Sequence, residues 1–545
     1  MRLIVTFLFA LLFSAIPAHA TIKRVESSTS KRITADRFEV IDIPFKAKES
    51  SDKPFEVAFN ALFTSPSGVK QSVPGFYNGD KEWLVRFSAA EAGEWSFTTT
   101  SDFKSLNGKS GKITISDKSY ANRRGMMTIS EDNPRFFEWQ DGSPYFLLAF
   151  ECDFLFALDY NEKQTPRLNN FIDRVAEQGF NHFVMNVYAH DVVWTKDAKL
   201  KDKPQYEFGG DQTIFPFGGS NENPDHSTLN IDFFKHFDRT VEALNDRNII
   251  AHLMIYVWNK AVNWAEYSSE DDNRYYDYVI KRYQAFSNVV WDVSKEAILY
   301  DNVGDEYIVE RAERGRKLDS FGHLLTVHDY GFCSRNTDVV DFISRQDWTV
   351  QVNEKMLRSY NQFKDKPIFN IEHGGYEECD YEVFCGNYIN AEYCLRRSYE
   401  ALFASVYTTY YWQGCSWNVL IYDFDTLPEG CYRPKLEYYK YKQEFFTKYP
   451  FHDFKPEPLL TNSGYCMSNS AEDTYLFYMP KESYKASAGK IMKKCNKLSF
   501  QWFNTHTGEY SDVWICDDMT IFSMPLNPWH LQNDAIMIIT VLEVK

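Results

Sequence analysis

The chain has 545 residues, with 59 Lys and Arg against 76 Asp and Glu, a formal net charge of −17, and 17% aromatic residues. At roughly 100–200 residues per domain this length points to about three domains. A composition of 44% hydrophobic and 25% charged residues describes a globular protein and excludes a disordered or fibrous one. The acidic balance argues against a nucleic-acid partner, which requires a Lys/Arg excess to neutralise phosphates.

The N-terminus reads as an export signal. Arg2 supplies the basic start, residues 3–16 the apolar core, and Ala18-His19-Ala20 a small-x-small cleavage site. The apolar run is too short to span a bilayer, and no Cys follows the cleavage site to carry a lipid. The expectation is a soluble exported protein, periplasmic or extracellular. All 10 Cys lie beyond the signal, and none belongs to a CxxC pair, so structural zinc finds little support. Cys379 and Cys385 are the best-placed local pair for a disulfide.

Residues 28–120 read as an Ig-like β-sandwich. Short alternating runs such as Glu56-Val57-Ala58-Phe59 and Trp83-Leu84-Val85-Arg86-Phe87 alternate with Ser-Gly, Asn-Gly and Ala-Gly turns. Residues 125–445 change rhythm: apolar strand-like runs at 145–150, 182–187, 249–256, 289–293, 324–327, 339–343, 367–371 and 404–411 alternate with periodic helices. In the first helix Leu168, Phe171, Ile172 and Val175 form a stripe, Thr165-Pro166 starts it and Gly179 stops it. A second begins near Asp232 and carries Phe233, Phe237, Val241 and Leu244. This α/β order predicts a (β/α)8 TIM barrel; an open doubly wound sheet would need a glycine-rich phosphate turn that the sequence lacks. Residues 450–545 return to β patterns, as in Thr474-Tyr475-Leu476-Phe477-Tyr478, and predict a terminal β-sandwich.

In such a barrel the chemistry sits at the C-terminal strand ends. Those positions hold Glu151 and Asp153 after strand 1, Asn186, Tyr188 and His190 after strand 2, and Trp258 and Asn259 after strand 3. Glu296 follows strand 4, His328 strand 5, Gln346 and Trp348 strand 6, Glu372 and His373 strand 7, and Trp412, Gln413 and Trp417 strand 8. A sugar needs this inventory: Trp for the ring face, amides and His for hydroxyls, and paired acids for the bond.

Two runs matter most, Asn288-Val289-Val290-Trp291-Asp292-Val293-Ser294-Lys295-Glu296 and Lys366-Pro367-Ile368-Phe369-Asn370-Ile371-Glu372-His373-Gly374-Gly375. Each is a buried-strand pattern ending in an acid. Across a barrel mouth two such acids can stand about 5–5.5 Å apart, the spacing of a retaining glycosidase. One would protonate the leaving oxygen while the other attacks the anomeric carbon.

On these two segments the barrel resembles the clan A glycoside hydrolases, and within them the apiosidase-like branch, which continues into a β domain labelled collagen-binding. The resemblance implies that Glu296 is the acid/base and Glu372 the nucleophile. In that clan an Asn that contacts the sugar 2-hydroxyl precedes the acid/base; here Lys295 stands there, preceded by Ser294. The clan's Tyr after strand 6 is replaced by Gln346-Asp347-Trp348. For Lys295 the reading is a solvent-facing or acid-paired side chain, with contact to an anionic sugar as the alternative. His252, early in strand 3, is expected to pack.

The expected function is hydrolysis of O-glycosidic bonds in a plant- or algal-type polysaccharide or its oligosaccharides, with no cofactor and no metal. Two alternatives differ in chemistry. A metal-dependent barrel hydrolase would recruit His190, His328 and His373, but such barrels open with a His-x-His pair where this chain has Glu151-Cys152-Asp153. A non-catalytic glycan-binding protein would work through its β domains and would not need the acid pair.

Overall fold

In the computed structural model the described residues are 22–26, 33–190, 207–209, 214–300, 303–373, 376–377, 388–415, 419–461, 463–486, 488–520 and 524–545. The expected export signal, Cys379, Cys385 and Trp417 lie outside them.

The N-terminal β domain pairs two sheets. One contains Ile41–Lys46 and Glu82–Phe87, the other Gly93–Ser101, Ser110–Ser119 and Phe59–Thr64. Strand alternation sends Phe59, Ala61 and Phe63 inward, and Phe63 stacks on Phe87 of the other sheet at 3.9 Å. The same alternation turns Arg86 outward, toward the next domain.

The central domain is a sheet of eight parallel strands: β1 (Ala149–Glu151), β2 (His182–Asn186), β3 (Ile250–Val257), β4 (Val289–Lys295), β5 (Leu325–His328), β6 (Ile343–Gln346), β7 (Ile368–Glu372) and β8 (Tyr407–Tyr410). Their order, β5-β4-β3-β2-β1-β8-β7-β6, is that of a barrel. At the β5–β6 seam the closure is made by other bonds. Asp341 N donates to Leu325 O (2.8 Å), and Thr326 Oγ1 reaches Phe342 O (3.0 Å) and Ser344 Oγ (2.9 Å).

The strands β2, β3, β4 and β7 are buried along their whole lengths, which is why they read as nearly continuous apolar runs. Strand β6 lies a few residues later than the 339–343 expected. Val340 and Phe342 are buried on the approach, so the apolar run precedes the strand, which itself carries Ser344, Arg345 and Gln346.

A helix follows each strand: α1 (Pro166–Glu177), α2 (Ile231–Asn245), α3 (Glu270–Tyr283), α4 (Asp305–Leu318), α5 (Tyr330–Arg335), α6 (Val352–Gln362), α7 (Ala391–Leu402) and α8 (Glu437–Lys448). In α1 the predicted stripe of Leu168, Phe171, Ile172 and Val175 is fully buried. Helix α2 is capped by Asn230, whose side chain accepts from Asp232 N and Phe233 N.

The terminal β domain is a six-stranded antiparallel sheet ordered Phe454–Pro456, Tyr465–Asn469, Thr474–Met479, Ala535–Val544, Cys495–Asn504, Trp514–Cys516. One face joins the barrel core through Met467, Leu476, Tyr478, Phe503, Ile536 and Ile538. Among the described residues, the other face is covered by coil and the short helix Gly489–Met492 rather than by a second sheet. Arg396 of α7 clamps Asp534 with two hydrogen bonds, at 2.7 and 3.0 Å.

The N-terminal domain is held by a buried charge cluster. Arg86 bonds both oxygens of Asp42 (2.8 and 3.0 Å) and both oxygens of Asp238 on α2 (3.0 and 3.0 Å). Arg282 of α3 bonds the same two Asp238 oxygens at 2.8 and 2.6 Å. Each buried charge has an opposite partner and aligned donors, the condition under which such clusters are tolerated. No helix among the described residues is long and apolar enough to cross a membrane.

Candidate active site

Strands β1, β4 and β7 end in Glu151, Lys295 and Glu372, and these three ends meet. Lys295 Nζ lies 3.0 Å from Glu151 Oε1 and 3.2 Å from Glu372 Oε2. Burial disfavours the Lys295 charge, but Glu151, Glu372, Asp153 and Glu296 outweigh that cost and hold its pKa well above the usual lysine value. The Glu151 carboxyl is pushed up by burial and by the nearby acids, while Lys295 pulls it back. Lys295 is therefore acid-paired and buried, and it carries no open face toward solvent.

A second pair lies beside the first. Lys260 Nζ donates to Asp153 Oδ2 at 2.9 Å, Tyr411 OH donates to the same oxygen at 3.2 Å, and Asn186 Nδ2 reaches Asp153 Oδ1 at 3.4 Å. Burial lowers the Lys260 pKa, and Asp153 opposes that shift. Lys260 and Tyr411 were not among the expected site residues. Tyr411 directly follows β8 and its signal was available; Lys260 lies in an irregular segment, where direction cannot be read from periodicity.

Glu296 leaves β4 with φ 59°, a left-handed conformation that costs a non-glycine residue about 1–2 kcal/mol. Strain of this kind concentrates at functional sites. Gln346 Nε2, at the end of β6, donates to Glu296 Oε1 at 3.0 Å, so the residue standing where the clan has Tyr contacts the candidate acid. Glu296 Oε2 is buried without a protein partner among the described residues. On the other side His328 Nε2 lies 3.4 Å from Glu372 Oε2. The Tyr300 phenol is pushed up first by burial and then by the Glu296 and Glu372 charges.

Beneath the site runs a buried polar chain. Tyr145 OH meets His182 Nδ1 at 3.2 Å, His182 Nε2 meets His252 Nδ1 at 3.1 Å, and His252 Nε2 meets Asp292 Oδ2 at 3.2 Å. Asp292 Oδ1 accepts from His328 N at 2.9 Å, which ties the chain to the strand end beside Glu372. His252, expected to pack, is fully buried and also hydrogen-bonded.

The remaining expected residues divide by side-chain direction. Trp258 and Asn259 are half-buried, with Trp258 Nε1 and Asn259 Oδ1 lacking protein partners among the described residues. Trp348 is half-buried. Tyr188 packs among Phe156, Phe215 and Phe233 and touches His190 Nδ1 with its hydroxyl at 3.3 Å, and His190 Nε2 faces Glu222 at 3.5 Å. His373 points at Cys394 (4.0 Å) on α7, with its pKa lowered to about 3, chiefly by burial. Trp412 and Gln413 are fully buried, and Trp412 meets Phe424 edge-on at 6.1 Å. Among the described residues no three His, Cys, Asp or Glu side chains converge as a metal-ligand set.

Residues 131–419 match the apiosidase-like catalytic domain, and residues 34–102 match a domain of unknown function, DUF5060. The crystal structure of a candidate glycoside hydrolase from Bacteroides vulgatus superposes with a TM-score of 0.71 at 18% identity, covering 94% of this chain and 100% of that one. A family 5 glycoside hydrolase from the same organism gives 0.53 at 16% identity, covering 77% of this chain and 94% of that one. At these identities the likeness concerns the fold. No curated protein matches the chain. The first match spans more than half of the sequence, and the chain belongs to the apiosidase-like catalytic domain family.

Proposed function

We propose that the protein is an exported retaining glycoside hydrolase acting on a plant- or algal-type polysaccharide or its oligosaccharides. The observation that carries this reading is the pair of acids, one directly after β4 and one at the end of β7, set in unlike surroundings. Glu372 lies beside the Lys295 ammonium, a positive neighbour that favours the ionised form a nucleophile needs, with His328 Nε2 3.4 Å away. Glu296 accepts from the Gln346 amide through Oε1 and leaves Oε2 without a protein partner among the described residues, so that oxygen is placed to serve as the acid/base.

In the first step a Glu372 oxygen bonds the anomeric carbon. The glycosidic C–O bond breaks with its electron pair on the leaving oxygen, which takes the Glu296 proton. In the second step Glu296, now a carboxylate, takes a proton from water. The hydroxide equivalent bonds the anomeric carbon and releases Glu372. Lys295 occupies the position next to the acid and contacts the nucleophile. His328, Asn186, Asn259 and Gln346 are the candidate hydroxyl partners, and Trp258 and Trp348 the candidate ring platforms. The leader over residues 1–20 supports export, and the glycoside hydrolases among the structural neighbours support the reaction class.

The test is a polysaccharide panel with product analysis, followed by Glu372→Gln and Glu296→Gln on the substrate found. Each variant is expected to abolish hydrolysis while keeping the melting temperature; near-normal activity in either would remove that residue from its role.

A further inference from the structure

Beside the segment that carries Glu296 lies a recess that shares only Trp258 with the roles above. It has a volume of about 370 Å³, near the lower end of the ~300–1,000 Å³ typical of small-ligand pockets. Trp258, Trp264 and Tyr267 from the segment after β3 form one wall, and Tyr300, on the short helix Ala297–Tyr300 after Glu296, faces them. Both walls are tied to the end of β4: Trp258 N donates to Lys295 O at 3.2 Å and Tyr300 N to Glu296 O at 3.1 Å. The recess therefore lies on the acid side of the site.

The wall is aromatic but not a closed core. Trp258 stands edge-on to Tyr267 (5.5 Å) and tilted against Trp264 (6.3 Å), and its indole N–H is a buried donor with no protein partner among the described residues. Tyr300 is 56% exposed and Tyr267 39%, an unfavourable placement for large rings that only filled the fold. Flat apolar faces with a hydrogen-bond donor at their edge match the alternating apolar faces and hydroxyls of a sugar ring. Among the described residues the one charged group in the lining is the Glu266 carboxylate, so the recess offers an anionic ring no cation and suits a neutral one.

We propose that this recess is the leaving-group subsite, and that it takes a neutral sugar ring whose oxygen Glu296 protonates. The inference rests on the reading of Glu296 as the acid. It makes the substrate at least a disaccharide on that side of the bond, with Tyr300 and Trp258 as specificity-determining groups.

Matched pairs of probes test it: a disaccharide with neutral rings that the enzyme cleaves, and the glycosyl fluoride of its glycone, whose leaving group is too small to fill the recess. Tyr300→Ala and Trp258→Ala are expected to lower kcat/KM on the disaccharide about tenfold more than on the fluoride. Tyr300→Phe, which keeps the ring, is expected to restore the disaccharide rate. Equal losses on both probes would overturn the subsite, as would a wild-type enzyme that hydrolyses the fluorides but no disaccharide. Glu372→Gln separates the two levels: activity lost on both probes keeps the glycosidase reading whatever the Tyr300 result, and activity retained removes that reading itself.

Discussion

Lys295 Nζ lies 3.2 Å from Glu372 Oε2, so the charge at the end of β4 is directed at the carboxylate that ends β7. A lysine that neutralises a neighbouring acid favours the ionised acid, and its removal should be felt at low pH first.

Lys295→Met is expected to lower kcat about a hundredfold, the scale of losing one preorganised polar contact. The acidic limb of the kcat/KM profile should move to higher pH, because the carboxylate loses its positive neighbour. Removing one partner of a buried pair also costs about 3–5 kcal/mol of stability. The double variant Lys295→Met with Glu151→Gln should recover much of that stability but not the rate. A pH profile unchanged in the single variant would separate Lys295 from the chemistry.

The junction between the N-terminal domain and the barrel predicts an acid transition. Although burial raises the Asp238 pKa, Arg282 and Arg86 lower it further, to about 2. Below its unfolded value of about 3.9 the folded state binds fewer protons than the unfolded one, so this stability is present above about pH 4 and lost as the pH falls toward 2. The contribution is about 2–3 kcal/mol. Arg86→Ala leaves Asp42 and Asp238 facing each other and should move the acid midpoint upward, as followed by tryptophan fluorescence. An unmoved midpoint would show that the cluster is not coupled to unfolding.

Lys442 on α8 is fully buried, with Ser398 Oγ at 2.5 Å and the Tyr439 ring 4.3 Å below its ammonium. Burial lowers its pKa to about 7. An unfolded lysine titrates near about 10.4, so between about pH 7 and 10 the unfolded state holds the extra proton and stability rises with pH. Lys442→Met should flatten that rise, with the wild type gaining up to about 1.4 kcal/mol per pH unit relative to the variant. Chemical denaturation at pH 6.5 and 9 measures it, and a constant difference between the two proteins would contradict it.

The barrel was legible because buried parallel strands are apolar runs and their last residues fall at one end. Glu151, Asn186, His328, Gln346 and Glu372 all close a strand, and Glu296 follows one. Side-chain direction was less legible. Successive residues point to opposite sides, so a shift of one position exchanges site for packing. Glu372 meets Lys295 while His373 turns to α7, and Tyr411 reaches Asp153 while Trp412 meets Phe424. The recess behind Trp258 is built by an irregular segment and by the residue three places after the short helix begins, which no strand or helix period would bring together. The pairing of Lys295 with two acids needed a third strand, β1, whose distance from β4 the sequence does not encode locally.

With Glu372 as nucleophile and Glu296 as acid/base, the stereochemistry of the first product tests both roles together. Proton NMR of the reaction, recorded before mutarotation, should show the new reducing end with the anomeric configuration of the substrate bond. A first product of inverted configuration would contradict double displacement and remove the covalent glycosyl-Glu372 intermediate.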